Sequence, residues 1–332
     1  MATSVTVGVK LNNFLHISLT FCCTVQIKDQ LQHDSNRNHC VTEMNQLLIA
    51  LRFYATGTFQ LVVGDLFGVD RSTVCRILHR VTHAIASLRS KYVKWPTAAD
   101  ELRDIMNSFF TASRMPGVIG AIDCTHVPIQ SPGGDDPEIY RNRKGYFSIN
   151  VQLTCDRTGY ITDVVARWPG SVHDSTIFDH SHIRALLETT HTDGYLVGDG
   201  GYPCRRYLLT PVTNPVTRAE AAYNVAHITA RNPIERVNGV LKRRFAALKY
   251  GLRLRLENIL PVIVATVVLH NIAVVLADEM PPDDEELETF MMHARRQDML
   301  AVYDEEDVVP PADPIRPAGT SMRQAVIHNH FT

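Results

Sequence analysis

The chain has 332 residues, of which 45% are hydrophobic and 20% charged, with 33 Lys and Arg against 35 Asp and Glu. These proportions exclude a mostly disordered chain, a collagen and a coiled coil, and they suit one large or two ordinary soluble globular domains. A net charge of -2 names no partner, but it hides a strong asymmetry. Residues 205–255 hold eleven Arg and Lys against Glu220 and Glu235 alone, a local balance of +9, whereas residues 278–307 hold twelve acids against Arg295 and Arg296, a local balance of -10. Local charge is therefore the informative quantity, and the basic stretch points to a polyanion.

In chain order, residues 1–40 read as irregular. Phe14 to Ile27 is apolar behind Lys10, but His16 and the lack of a small-residue cleavage pattern argue against a signal peptide. From Thr42 to Leu88 apolar residues recur at helical spacing in three stripes, broken at Gly57-Thr58 and at Gly68-Val69-Asp70, each break followed by a plausible N-cap (Thr58; Asp70 or Ser72). Three short helices with a tight glycine turn suit either an ordinary bundle or a helix-turn-helix, whose third helix would offer Arg71, Ser72, Thr73 and Arg76 to nucleic acid.

Beyond Met115 the pattern changes. Val118 to Ile122 reads as a short buried strand ending at Asp123. Ser148 to Thr154 and Tyr160 to Arg167 read as a hairpin, Asp174 to Leu187 as a helix, and Tyr195 to Gly198 as a strand ending at Asp199. Asn232 to Lys249 reads as a basic helix. Ile259 to Ala277 is free of charge, yet Pro261, Thr266, His270 and Asn271 favour a buried core helix over a membrane span. After Asp278 the acidic, Pro-rich sequence predicts a mostly disordered tail, with a helical piece around Thr289–Val302. The division is 1–40, a helical region over 41–95, a mixed α/β domain over 115–278 and a tail over 279–332. Seven scattered cysteines without a CxxC pair suit a reducing compartment better than a disulfide framework or zinc ribbon.

Asp123 and Asp199, at strand ends, and Glu235, in the basic helix, are the candidate chemistry. Each has an ordinary explanation: the aspartates as turn residues, and Glu235 as a capping-box glutamate behind Asn232 and Pro233. Taken together, three converging carboxylates would need cations, and hard oxygen ligands suit Mg²⁺ or Mn²⁺. Two such ions would bracket a phosphodiester, and the basic stretch would hold the polyanion there.

The runs VIGAIDCTHVPI, YRNRKGYFSINVQLTCD, RWPGSVHDSTIF, GDGGY and TPVTNPVTRAEAAYNVAHITARNPIERVNGVLKRRF, in that order, resemble the PIF/Harbinger transposases and the nucleases derived from them. The upstream run NQLLIALRFYATGTFQLVVGDLFGVDRSTVCRILHRV resembles the helix-turn-helix region that precedes the family's nuclease domain, and RQAVIHNHF resembles its C-terminus. The resemblance spans residues 40–278. It implies an α/β, RNase H-like fold behind a small all-α region. It implies a catalytic, metal-binding triad of Asp123, Asp199 and Glu235, with Asp174 as a fourth acid near the metals. It also implies cleavage of double-stranded DNA with Mg²⁺ or Mn²⁺ and a separate Myb-like DNA-binding partner; a nuclear or partly cytoplasmic location is expected from the DNA substrate. Arg205, Arg206, Lys242, Arg243, Arg244 and Lys249 are expected on phosphates. A homo-oligomer is allowed and no membrane is expected. The competing reading is a domesticated DNA-binding protein of the same fold without catalysis.

Overall fold

A computed structural model describes residues 17–32, 40–190, 194–278 and 316–332. Among the described residues, the N-terminal region holds helices α1 (Ile17–Leu31), α2 (Glu43–Thr56), α3 (Gln60–Phe67), α4 (Arg71–Ala86) and α5 (Arg89–Tyr92). Thr42 caps α2 by accepting from Asn45 N, and Asp70 caps α4 by accepting from Ser72 N at 2.8 Å. Gly68, at φ 65°, reverses the chain between α3 and α4. A side chain at Gly64 would meet Val69 O at 2.6 Å, so this glycine lets α3 approach the turn closely. Both expected breaks are present and Asp70 caps as expected, but Thr58 does not: α3 starts behind Phe59 without a side-chain cap, and residues 17–31 correct the irregular reading of 1–40. Helix α1 packs on α2 and α4, and the buried Gln46 side chain donates to Leu31 O at 3.1 Å and Val41 O at 2.9 Å, tying its end down. Weak apolar periodicity concealed a helix that tertiary packing stabilises.

After α6 (Ala99–Ser113), a helix the sequence pattern did not disclose, come β1 (Val118–Pro128), a 3₁₀ turn at Pro137–Tyr140, β2 (Ser148–Cys155) and β3 (Ile161–Pro169). Helices α7 (Asp174–Asp179) and α8 (His182–Thr189) divide at His180-Ser181, where a single helix was expected. Then follow β4 (Tyr195–Val197), β5 (Leu208–Leu209), α9 (Arg218–Arg244), α10 (Ala247–Tyr250), α11 (Leu256–Val275) and α12 (Arg316–Phe331). The sheet order is β3-β2-β1-β4-β5. Strands β1, β2 and β3 run antiparallel, whereas β4 runs parallel to β1 and β5 parallel to β4. This mixed sheet with helices packed against it is the RNase H-like α/β fold.

Three local expectations are corrected. Asp123 does not end its strand: β1 continues to Pro128 because it stays paired with β2 as far as Ser148. Helix α9 begins not at Asn232 but at Arg218, with a capping box formed by Thr217 and Glu220. Pro233 therefore lies inside the helix, and Glu235 is free of any capping duty. The chain end is ordered, since α12 packs on α9, burying Val326 and Ile327, with Phe331 against the Tyr223 ring. Gly319 makes that approach possible: a Cβ there would fall 2.3 Å from Cys204 O. The helical piece expected at Thr289–Val302 lies outside the described residues.

Helix α11 joins the two regions, packing on α4 and on β3. It is long and apolar enough to cross a membrane, but most of it is buried in the protein. Its polar residues fasten the sheet. Asn271 Oδ1 accepts from Ile161 N at 2.8 Å, Asn271 Nδ2 donates to Ile161 O and Tyr92 O, and His270 Nε2 donates to Gly159 O. One apolar core runs from α1, α2 and α4 through the sheet to α9 and α11.

Candidate active site

Parallel pairing of β1 with β4 brings the first two acids together. Ala121 pairs with Val197, so Asp123 and Asp199 each lie two residues further along neighbouring parallel chains. β4 ends at Val197, and Asp199 then turns, its Oδ1 accepting from Gly201 N at 3.1 Å. Asp174 opens α7. Asn150 Nδ2, from β2, holds it by donating to Asp174 Oδ1 and to Val172 O, both at 2.9 Å. A Cβ built on Gly201 would lie 3.2 Å from Asp199 Oδ1 and 3.8 Å from Asp174 Oδ2, so both carboxylates border this glycine.

Helix α9 supplies the other wall. Arg231, Glu235, Asn238 and Lys242 recur at spacings of four, three and four, which puts them on one helix face. That face meets alternate residues of β1. Asn238 Nδ2 donates to Asp123 Oδ2 at 2.9 Å, and Lys242 Nζ donates to Thr125 Oγ1 at 2.6 Å. Arg231 Nη2 stands 3.9 Å from Asp123 Oδ1 and 3.7 Å from Glu235 Oε1.

The electrostatics follow from this crowding. Burial raises the Asp123 carboxyl well above its ordinary range; Arg231 opposes that, and Asp199, Asp174 and Glu235 add to it. Burial and then Asp199 likewise raise Asp174. Beside the acids lies a basic rim. His126 is lowered to about 4 by burial and by Lys242, Lys144 and Arg143. Burial lowers Lys242 to about 8. Arg143 Nη2 donates to His173 Nδ1 at 2.7 Å, beside Asp174.

The fold therefore gathers Asp123, Asp174, Asp199 and Glu235, the four acids singled out in the sequence. Among the described residues, no three His, Cys, Asp or Glu side chains already stand at metal-ligating spacing. Arg231 and Asn238 each engage an oxygen of Asp123. The donor set is nonetheless the right chemistry for a hard divalent cation: several carboxylates in mutual repulsion, one of them driven towards its protonated form by burial and by its acidic neighbours.

The expected phosphate contacts divide. Arg71, Ser72 and Arg76 are exposed at the start of α4, with Thr73 half-buried beside them. Arg206 is exposed, Arg243 is half-buried, and Lys249 is half-buried over the Tyr250 ring. Arg205 and Arg244 are corrected. Arg205 is buried, 2.7 Å from Asp179 and 3.1 Å from the Tyr207 hydroxyl. Arg244 is buried against Asp278 at 3.8 Å. Both serve the fold, each buried and spent on an acid of the protein's own. Arg231, Asn238, Thr125, Asn150, Arg143 and Lys144 were not singled out. The four-three-four polar spacing along α9 was a signal for Arg231 and Asn238, but the neighbours from β2 and the 141–146 loop carried none.

An RNase H-like sheet with acids meeting at β1, β4 and a long helix defines a nuclease-type protein. Residues 122–271 match the DDE superfamily endonuclease family model. "Putative nuclease HARBI1" of Homo sapiens is 34% identical over 247 residues, covering 73% of this chain and 70% of its own length; that of Rattus norvegicus is 34% identical over 283 residues, covering 80% and 81%. "Protein ALP1-like" of Arabidopsis thaliana is 28% identical over 267 residues, covering 75% and 65%. The chain belongs to the Harbinger transposase-derived nuclease family of DDE superfamily endonucleases. No solved structure matches it.

Proposed function

We propose that this protein is a divalent-metal-dependent DNA endonuclease whose triad is Asp123, Asp199 and Glu235. The observation that carries the reading is the convergence of acids from β1, β4 and α9 beside a basic rim. DDE superfamily endonucleases generally use divalent metals, and Mg²⁺ or Mn²⁺ bound here would lower the pKa of an attacking water and offset charge on the departing 3′ oxygen. Asp123, on β1, would hold the ions together with Asp199 and Glu235. Asp174, held by Asn150, is the additional acid. Asn238 orients Asp123 by fixing Oδ2. Lys242, Arg143 and Lys144 would hold the phosphates flanking the scissile bond, and Arg206, Arg243 and Lys249 more distant ones. Arg71, Ser72, Thr73 and Arg76 would meet the duplex at the start of α4. A nuclear location follows from the DNA substrate, and a Myb-like partner would load the enzyme on its site.

The test is nicking of supercoiled plasmid with Mg²⁺ or Mn²⁺. Wild type is expected to cut and EDTA to stop it, with Asp123→Ala, Asp199→Ala and Glu235→Ala folded but inactive. Equal cutting by all four proteins would refute the site. Wild type that binds DNA but never cuts, even with a Myb-like protein added, would favour a DNA-binding protein that has lost catalysis.

A further inference from the structure

Arg231 has no part in the chemistry above, yet it occupies the middle of the site. Its side chain is 12% exposed, against 17% for Asp123 and 15% for Glu235, and it reaches both from one helical turn before Glu235. A guanidinium stays protonated at any working pH, so its charge cannot be switched off and its effect can change only if it moves. Among the charges acting on Asp123, Arg231 opposes the repulsion from Asp199, Asp174 and Glu235. The contacts of 3.9 and 3.7 Å are nevertheless longer than the 2.7–2.9 Å expected of a charge-assisted hydrogen bond. The guanidinium supplies charge to these two oxygens without a tight directional bond to either, on a side chain long enough to swing away.

We propose that Arg231 is the built-in counter-cation of the carboxylate site. It holds Asp123 and Glu235 together when no divalent ion is bound, and it competes with that ion for the same oxygens, withdrawing as the ion binds. The proposal rests on the reading that these acids take a divalent cation. Its consequence is that the chain sets its own metal affinity. A resident cation weakens divalent binding, and it keeps the acids assembled until the ion arrives.

The first experiment titrates Mn²⁺ into wild type, Arg231→Gln, Arg231→Lys and Asp123→Asn by calorimetry. Arg231→Gln is expected to bind Mn²⁺ about tenfold more tightly than wild type, equivalent to ~1.4 kcal/mol, and Arg231→Lys to lie close to wild type. In EDTA, Arg231→Gln is expected to melt below wild type, and adding Asp123→Asn to recover the loss by removing the repelling charge. Equal or weaker Mn²⁺ binding by folded Arg231→Gln, or no recovery in the double variant, overturns the counter-cation role. A wild-type Mn²⁺ site that survives Asp123→Asn overturns instead the reading that these acids bind metal. A second measurement needs no destabilised protein. In ¹⁵N-arginine-labelled wild type, the Arg231 Nε resonance, assigned with Arg231→Lys, is expected to move on addition of Mg²⁺; a stationary resonance at saturating Mg²⁺ overturns the proposal.

Discussion

Lys242→Met is expected to stabilise the protein and weaken its hold on DNA. Lys242 Nζ is bonded to Thr125 Oγ1 at 2.6 Å, and burial lowers its pKa from the ordinary 10.5 to about 8. A drop of roughly 2.5 pH units corresponds to ~3 kcal/mol against the charged form at about 1.36 kcal/mol per unit. The side chain is half-buried, so solvent screening brings this to about 2 kcal/mol. The lost bond to Thr125 returns about 1 kcal/mol, which leaves a net gain of roughly 1 kcal/mol in EDTA at pH 7. The sign with pH follows from the lowered pKa. Between about 8 and 10.5 the unfolded chain binds more protons than the folded one, so wild-type stability contains a rising contribution over that window, which Met lacks. The advantage of Lys242→Met is therefore full below pH 8 and by about pH 10.5 has reversed to a deficit of about 1 kcal/mol, the lost bond to Thr125 alone. Urea denaturation of both proteins in EDTA at pH 7 and pH 10, with DNA affinity measured at pH 7, makes the comparison. A variant less stable than wild type by the same amount at both pH values would refute the reasoning, because it would show that Lys242 is held for the fold and not for a ligand.

The buried histidines give a second expectation: burial lowers His227 to about 3 and His270 to about 4, so the unfolded chain takes up their protons first and stability falls as pH drops from about 6.5 towards 4. A His270→Gln variant is expected to show a shallower decline in a thermal melt series across that range, and an unchanged slope would count against the assignment. Arg205→Ala is expected to cost about 3 kcal/mol by stripping Asp179 and Glu188 of a buried partner. Arg206→Ala is expected to leave stability within about 0.5 kcal/mol and weaken DNA binding instead; denaturation and binding curves that reverse the two would refute the division. Replacing Arg71 and Arg76 together by Ala is expected to lower the slope of log affinity against log salt by about 2 without moving the melting point, and an unchanged slope would take α4 off the DNA.

Local sequence determined much of this protein. Thr42, Gly57, Gly68 and Asp70 announce the N-terminal helices, because caps and left-handed turns are properties of a few neighbouring residues. The β2–β3 hairpin is written in alternation and in the Asp156–Gly159 turn, where Asp156 Oδ1 accepts from Thr158 N and Tyr160 N. The four acids were visible within their motifs. The pairing of strands decided what the acids do. Asp123 meets Asp199 because β4 lies parallel to β1 in a register that sequence periodicity does not encode, and it lies within β1 because β2 extends the strand past it. A basic run looks the same whether it faces solvent or core, so only packing separated Arg206 from Arg205 and Lys242 from Arg244. Helices α1 and α12 owe their order to surfaces supplied by α2, α4 and α9. Arg231 became prominent only when the rotation of α9 turned it, with Glu235, towards Asp123. A side chain's partners across a fold depend on long-range geometry that its own neighbours in sequence do not specify.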